Sequence, residues 1–265
     1  MFPVGTVFYK TFLSEGVRLE TRVLRKTHTG RGIEAWDVRA YAWNREQTEA
    51  TDVTDETACT DCAERRRNVL GTNHDIPSRS DCLQCHRAAA DGVNGFGALQ
   101  LNHPKAGYGL EQLVAAERLR AKEGLLSTAT LPGTPVERDA IGYLHGNCSH
   151  CHRRASDDGD GTCATPACLS GLRTFAKVGL SAVEQTELYQ TAVERRALYP
   201  GFGADVNCRV ASGHSDVSIL LLRMLDRGTA AQMPRIATKV VDDHGVEAVE
   251  RWIDSLPSKP TRCEF

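Results

Sequence analysis

The chain has 265 residues, 41% hydrophobic and 25% charged, and its 32 Lys+Arg against 34 Asp+Glu leave a formal net charge of −2. That balance belongs to a globular protein and excludes a disordered or collagen-like chain. It offers no basic field for nucleic acid and no polybasic membrane anchor, and no apolar run approaches the roughly 18 to 20 residues of a membrane span. Aromatic residues are only 6% of the chain, so something besides side chains is expected to fill part of the core.

The first residues, Met1-Phe2-Pro3-Val4-Gly5-Thr6, show neither the basic n-region nor the apolar h-region of an export signal. Residues 5–44 read as β. Val7, Phe8, Tyr9, Phe12 and Leu13 make one β-branched and aromatic run, and residues 18–26 and 33–43 alternate apolar with charged side chains. Ser14-Glu15-Gly16 and Thr29-Gly30-Arg31-Gly32 supply turns. Three strands in an antiparallel meander are predicted, with one apolar face docked.

Beyond about residue 57 the period changes to helical, at 109–123, 137–144, 181–194, 218–225 and 245–256. Leu131-Pro132-Gly133-Thr134-Pro135 reads as a linker between two helical modules. The fold class expected is α+β: residues 1–57 as a small β-meander, 58–130 as a first module and 131–265 as a second.

Ten cysteines stand at 59, 62, 82, 85, 148, 151, 163, 168, 208 and 263. Cys82-Leu83-Gln84-Cys85-His86 and Cys148-Ser149-His150-Cys151-His152 both match C-x-x-C-H, the attachment signature of c-type haem. The spacing lets two sulfurs join the two haem vinyl groups while the next imidazole reaches the iron. Random placement of 10 Cys and 9 His gives about 0.01 such matches per chain. A four-cysteine zinc ribbon keeps its pairs ~15 to 20 residues apart, closer than these. A thioredoxin-like dithiol needs a βαβ context, and local disulfides leave the repeated histidine unexplained. Two covalently bound c-type haems are the cofactors expected, one per module, and they would supply the missing apolar core.

The sixth ligand decides between electron transfer and catalysis. Met233, in Gln232-Met233-Pro234 ahead of an amphipathic last helix, stands where a class I cytochrome c carries its axial methionine, and it is assigned to the haem of Cys148, Cys151 and His152. For the haem of Cys82, Cys85 and His86 the candidates are Met224 and His103, with His74, His145, His150 and His214 behind them. A first iron left five-coordinate keeps an enzyme in play.

Phe2-Pro3-Val4-Gly5-Thr6, Ala42-Trp43-Asn44, Pro77-Ser78-Arg79, Gln100-Leu101-Asn102, Gly142-Tyr143-Leu144, Asn147-Cys148, Arg223-Met224 and Gln232-Met233-Pro234 together resemble an uncharacterised family of bacterial exported diheme c-type cytochromes. The resemblance spans most of the chain. It implies a periplasmic or cell-surface location and an electron-transfer role. Members begin with an export signal and a segment ahead of the FPVGT-like strand, which implies a trimmed or processed form here.

Haem attachment outside the cytoplasm makes the six other cysteines candidates for three disulfides. Fifteen pairings exist; Cys59 with Cys62, Cys163 with Cys168 and Cys208 with Cys263 gives the smallest loops, against the alternative of a redox-active or metal-binding Cys59/Cys62 pair. Asp157-Asp158-Gly159-Asp160-Gly161 lacks the closing Glu of a calcium loop and reads as a solvated turn. Arg65-Arg66-Arg67 reads as a solvated basic face, with haem propionates or an acidic partner as the alternative.

The function expected is one-electron transfer to redox partner proteins. A diheme peroxidase-type enzyme with an open first haem and a haem subunit of a larger redox assembly are the rivals.

Overall fold

A computed structural model describes residues 1–55, 57–89, 91–102, 107–120, 123–153, 166–199, 201–203, 205–236 and 238–263. Among them the strands are β1 (Val7–Ser14), β2 (Val17–Lys26), β3 (Trp36–Trp43) and β4 (Ala50–Asp52). The helices are α1 (Cys62–Arg65), α2 (Arg79–His86), α3 (Ala98–Leu101), α4 (Leu110–Ala115), α5 (Leu125–Thr128), α6 (Pro135–Cys148), α7 (Glu187–Ala192), α8 (Ile219–Leu225) and α9 (Asp243–Ser255). The class is α+β, an antiparallel sheet followed by helices. Two compact units emerge, Met1–Val93 with Arg235–Val240, and Asn94–Pro234 with Val241–Phe265. No described helix is long and apolar enough to cross a membrane.

In the first unit the sheet runs β1-β2-β3-β4, all antiparallel. The β1–β2 hairpin turns on Glu15 and Gly16, both at positive φ, the conformation that matches a two-residue turn to strand twist. β3 alternates without a fault: Trp36, Val38, Ala40 and Ala42 are buried and the residues between them are not. The meander therefore has four strands where three were expected. β4 is too short to carry a period-2 pattern, and pairing with Tyr41–Trp43 rather than its own composition makes it a strand.

The buried face of this sheet does not close on itself. Leu19, Ala40 and Ala42 pack with Val53, Cys62, Val69 and Ile76, while Leu24, Trp36 and Val38 pack with Cys82, and with Phe2, Phe8, Leu83 and Val93 beside them. Register aligns this second cluster, since Phe8 faces Leu24 and Leu24 faces Val38. Sheet and following segment share one core, and so the compact unit runs on past residue 57 to Val93.

One charge lies inside it. Lys26 is 1% exposed; its ammonium pairs with Asp91, donates to the Gly30 carbonyl at 2.7 Å and sits 5.0 Å from the Trp36 ring centroid. Asp91 also accepts the Phe2 N–H at 2.7 Å. A buried ammonium is tolerable only with such a full set of partners.

The second unit is helical. α6 starts on a capping box, Thr134 with Glu137, and Pro135 occupies its first turn, where the missing N–H costs nothing. Its Ala140, Ile141 and Leu144 meet Leu221 and Met224 of α8 and Val249, Trp252 and Ile253 of α9. Gly245 permits the approach of α9, because a Cβ there would stand 2.0 Å from the Tyr143 ring. α9 matches its expected span within two residues. The pattern at 109–123 forms a helix only over Leu110–Ala115, since Glu117 turns left-handed at φ 53 and ends it. The pattern at 181–194 becomes a single 3-10 turn and then α7, which starts where the Thr186 hydroxyl accepts the Tyr189 N–H.

Burial alone would raise the Asp91 pKa, but the Lys26 ammonium and the Phe2 N–H hold it below the ordinary carboxylate value. A depressed folded pKa stabilises above the unfolded value and is lost as pH falls through the folded one. Asp91→Asn is expected to cost about 3–5 kcal/mol near neutral pH by stranding the Lys26 charge. Urea titrations along a falling pH series should show the wild type losing an increment that the variant lacks.

Candidate functional site

The first C-x-x-C-H lies wholly on α2. Ser78 and Asp81 cap that helix reciprocally, the Asp81 N–H donating to Ser78 Oγ at 3.1 Å and the Ser78 N–H to Asp81 Oδ2 at 3.0 Å. Positions 82, 85 and 86 then share one face, being three and four residues apart. Cys82 is buried against the sheet, and burial pushes its thiol pKa up. His86 Nδ1 lies 2.7 Å from the Gly92 carbonyl oxygen. A carbonyl only accepts, so the proton sits on Nδ1 and the lone pair on Nε2, the tautomer of a metal-ligating imidazole.

Gly92 is where it is because nothing larger fits. Its φ is +71°, and a Cβ would stand 2.9 Å from Ile33 Cα and 3.1 Å from Trp36 Cδ1. The neighbouring Asp91 is held by Lys26 and by the Phe2 N–H. The carbonyl that orients His86 is thus clamped to the sheet, and the only sequence signal for it was an Asp-Gly turn dipeptide six residues downstream.

The second motif begins at the last residue of α6. Cys148 O accepts from Cys151 N–H at 3.1 Å and from His152 N–H at 2.8 Å, so one further turn carries both residues past the helix end. His152 Nδ1 lies 3.3 Å from Ser170 Oγ, whose own proton goes to the Ala167 carbonyl at 2.6 Å. Ser170 Oγ is thereby free to accept from Nδ1, and the imidazole also hydrogen-bonds the Leu172 backbone. Burial first, and the Arg223 charge second, lower the His152 pKa to about 4, which keeps its imidazole neutral near pH 7. Burial raises the Cys148 thiol to about 12.

His152 and Cys148 open onto a cavity of ≈ 690 Å³ of empty space, counting the part open to solvent. Leu144, Leu172, Ile219 and Leu220 make its apolar wall, and both Met224 and Met233 face it. The Met233 loop is tied to α8 by Met233 N–H donating to Arg223 O at 2.9 Å and Arg223 Nε donating to Ala231 O at 2.8 Å. Arg223 also stacks 4.4 Å over Tyr199, and Arg209 reaches the cavity while donating to the Ser170 and Thr191 carbonyls. The cavity thus gathers an apolar wall, two methionine sulfurs, an imidazole and two guanidinium groups among its lining residues.

The structure thus brings Cys148, His152 and Met233 together. Met224, a candidate for the first haem, lines the cavity of the second motif, while Cys82, Cys85 and His86 belong to the other compact unit. His103, Cys163 and the 157–161 segment lie outside the described residues, as does the Cys168 side chain. The remaining histidines have structural partners where bonds are resolved: His74 Nε2 lies 2.8 Å from the buried Glu20, His145 Nδ1 accepts the Ala176 N–H at 3.1 Å and His214 Nε2 lies 2.9 Å from Ser258 Oγ. In the arginine run, Arg65 pairs with Asp61 and Arg67 with Asp75, whereas Arg66 is buried and donates to the Ile76 carbonyl. The two disulfides among the described residues are Cys59–Cys62 and Cys208–Cys263; neither uses a C-x-x-C-H sulfur.

Gly92→Ala tests the clamp. The left-handed φ and the close Ile33 backbone should together cost about 2–4 kcal/mol, read by chemical denaturation, and His86 Nδ1–H should lose its slow exchange in nitrogen-15 imidazole spectra.

Comparison with family models, with curated proteins and with solved structures finds no match. Any function must therefore be argued from the chemistry of these residues.

Proposed function

We propose that the protein is an exported c-type cytochrome that holds two covalent haems and passes single electrons between redox partner proteins. Cys82 and Cys85 would tether one haem and Cys148 and Cys151 the other, with His86 and His152 as proximal ligands. The observation that supports this reading is the shared setting of the two histidines: in each, Nδ1 lies within hydrogen-bond distance of an oxygen from outside the motif, which would leave Nε2 as the nitrogen a metal could take. A zinc-ribbon or disulfide use of the cysteines gives no reason for that repeated arrangement.

Bound in such a site, haem supplies a ferric/ferrous couple whose potential the protein sets through axial ligand, burial and charge. The chain's part is structural and electrostatic. Desolvation and the Arg223 charge would keep His152 neutral, so no proton would have to leave before it coordinates. Leu144, Leu172, Ile219 and Leu220 exclude water from one side. Arg209 and Arg223 offer cations to carboxylate substituents, and their fixed backbone bonds mean that little rotamer freedom is lost in doing so. Met233, which lines the same cavity, would offer its thioether as the second protein ligand.

A pyridine haemochrome spectrum together with intact-protein mass spectrometry is expected to report two haems per chain after maturation in a competent host. A colourless, zinc-bearing or merely disulfide-bonded product would end the reading. Met233→Ala should abolish the methionine-to-iron band at the red end of the ferric spectrum, while Met224→Ala should leave it in place. The reverse result would move the ligand to α8.

A further inference from the structure

One C-x-x-C motif is left over. Cys59 and Cys62 form a disulfide in the first unit. We propose that this pair is a thiol–disulfide exchange site that accepts two electrons from a partner dithiol, with Cys59 as the sulfur attacked.

Three observations carry it. The first is access: Cys62 is 0% exposed, packed with Leu19, Val53, Val69 and Ile76, whereas Cys59 is only half-buried at the edge of that cluster. Cys59 is thus the more accessible of the two residues, which makes the exchange directional. In the other described disulfide both sulfurs are buried, Cys208 at 0% and Cys263 at 4% exposure. The second is loop length. Cys208–Cys263 spans 55 residues and Cys59–Cys62 only 3, so the short bridge removes much less entropy from the unfolded chain and contributes correspondingly less to stability. The third is accommodation of the reduced form. Cys62 Sγ lies 3.6 Å from the Asp52 carbonyl oxygen, an acceptor already in place for the S–H that opening creates.

The step balances as follows. A partner thiolate attacks Cys59 Sγ, the bond to Cys62 breaks, and Cys62 leaves as a thiolate that takes a proton from water. The partner's second thiol loses its proton and attacks the partner sulfur of the mixed disulfide, releasing Cys59, which is protonated in turn. The partner gives up two electrons and two protons and becomes a disulfide, and the Cys59/Cys62 pair gains them. Nothing in this step uses haem, so it stands or falls separately from the proposal above.

The test uses the full chain as purified, incubated in glutathione redox buffers under native conditions, then alkylated and mapped by peptide mass spectrometry. Cys59–Cys62 is expected to open at least tenfold faster than Cys208–Cys263 while the circular dichroism spectrum is unchanged. In Cys62→Ser, glutathione should form a stable adduct at Cys59, located by the peptide map. The proposal is overturned if the two bridges of the wild type open together at the rate of global unfolding. Because that comparison needs no variant, a Cys62→Ser chain that fails to fold does not protect the idea. Haem content, measured on the same sample, bears only on the cytochrome reading.

Discussion

Each C-x-x-C-H histidine depends on an oxygen that its own motif does not provide. An imidazole has two nitrogens and one proton to place between them, and where that proton sits decides whether Nε2 can donate a lone pair to a metal. In the first unit the deciding atom is the Gly92 carbonyl, and in the second it is the Ser170 hydroxyl. The two solutions differ in origin. Gly92 is pressed against Ile33 and Trp36, so the sheet sets the first. Ser170 is locked by its own bond to Ala167 in a helical turn, and its carbonyl is gripped by Arg209.

This division extends to how each unit spends its apolar residues. Phe2, Phe8 and Trp36 gather within 5.9 Å of one another, centroid to centroid, over the sheet, and the Lys26–Asp91 pair buried beside them pins the turn that orients His86. Among the described aromatics of the helical unit Trp252 alone is fully buried, and the unit leaves a cavity between α6, α8 and the Met233 loop.

The ten cysteines sort by neighbourhood as well as by spacing. Cys82 is buried and Cys148 half-buried, and desolvation raises the pKa of both thiols, so neither is an activated thiolate of the kind that drives exchange chemistry. Cys59 and Cys62 have the same C-x-x-C spacing but are joined, with one sulfur near the surface. Spacing alone made these three pairs look alike. Burial and the presence of a following histidine separate them into different chemistries.

Much of this was legible from residues alone. The two C-x-x-C-H motifs, the alternation of β3 and the apolar stripe of α9 are local patterns, and each depends on period or count, whereas six cysteines in fifteen possible pairings do not select Cys208 with Cys263. Other features were not. The fourth strand has no pattern of its own, the helix at Leu110–Ala115 stops at a left-handed Glu117 that no propensity marks, and Met224 reads as an ordinary helical methionine until α8 is packed. What the amino-acid order determined by itself was which atoms are available, because chemistry and spacing travel with the chain. What only the tertiary structure decided was which of them meet. The partners of His86 and His152 are six and eighteen residues away, and their positions are fixed by packing between elements that sequence periodicity does not encode.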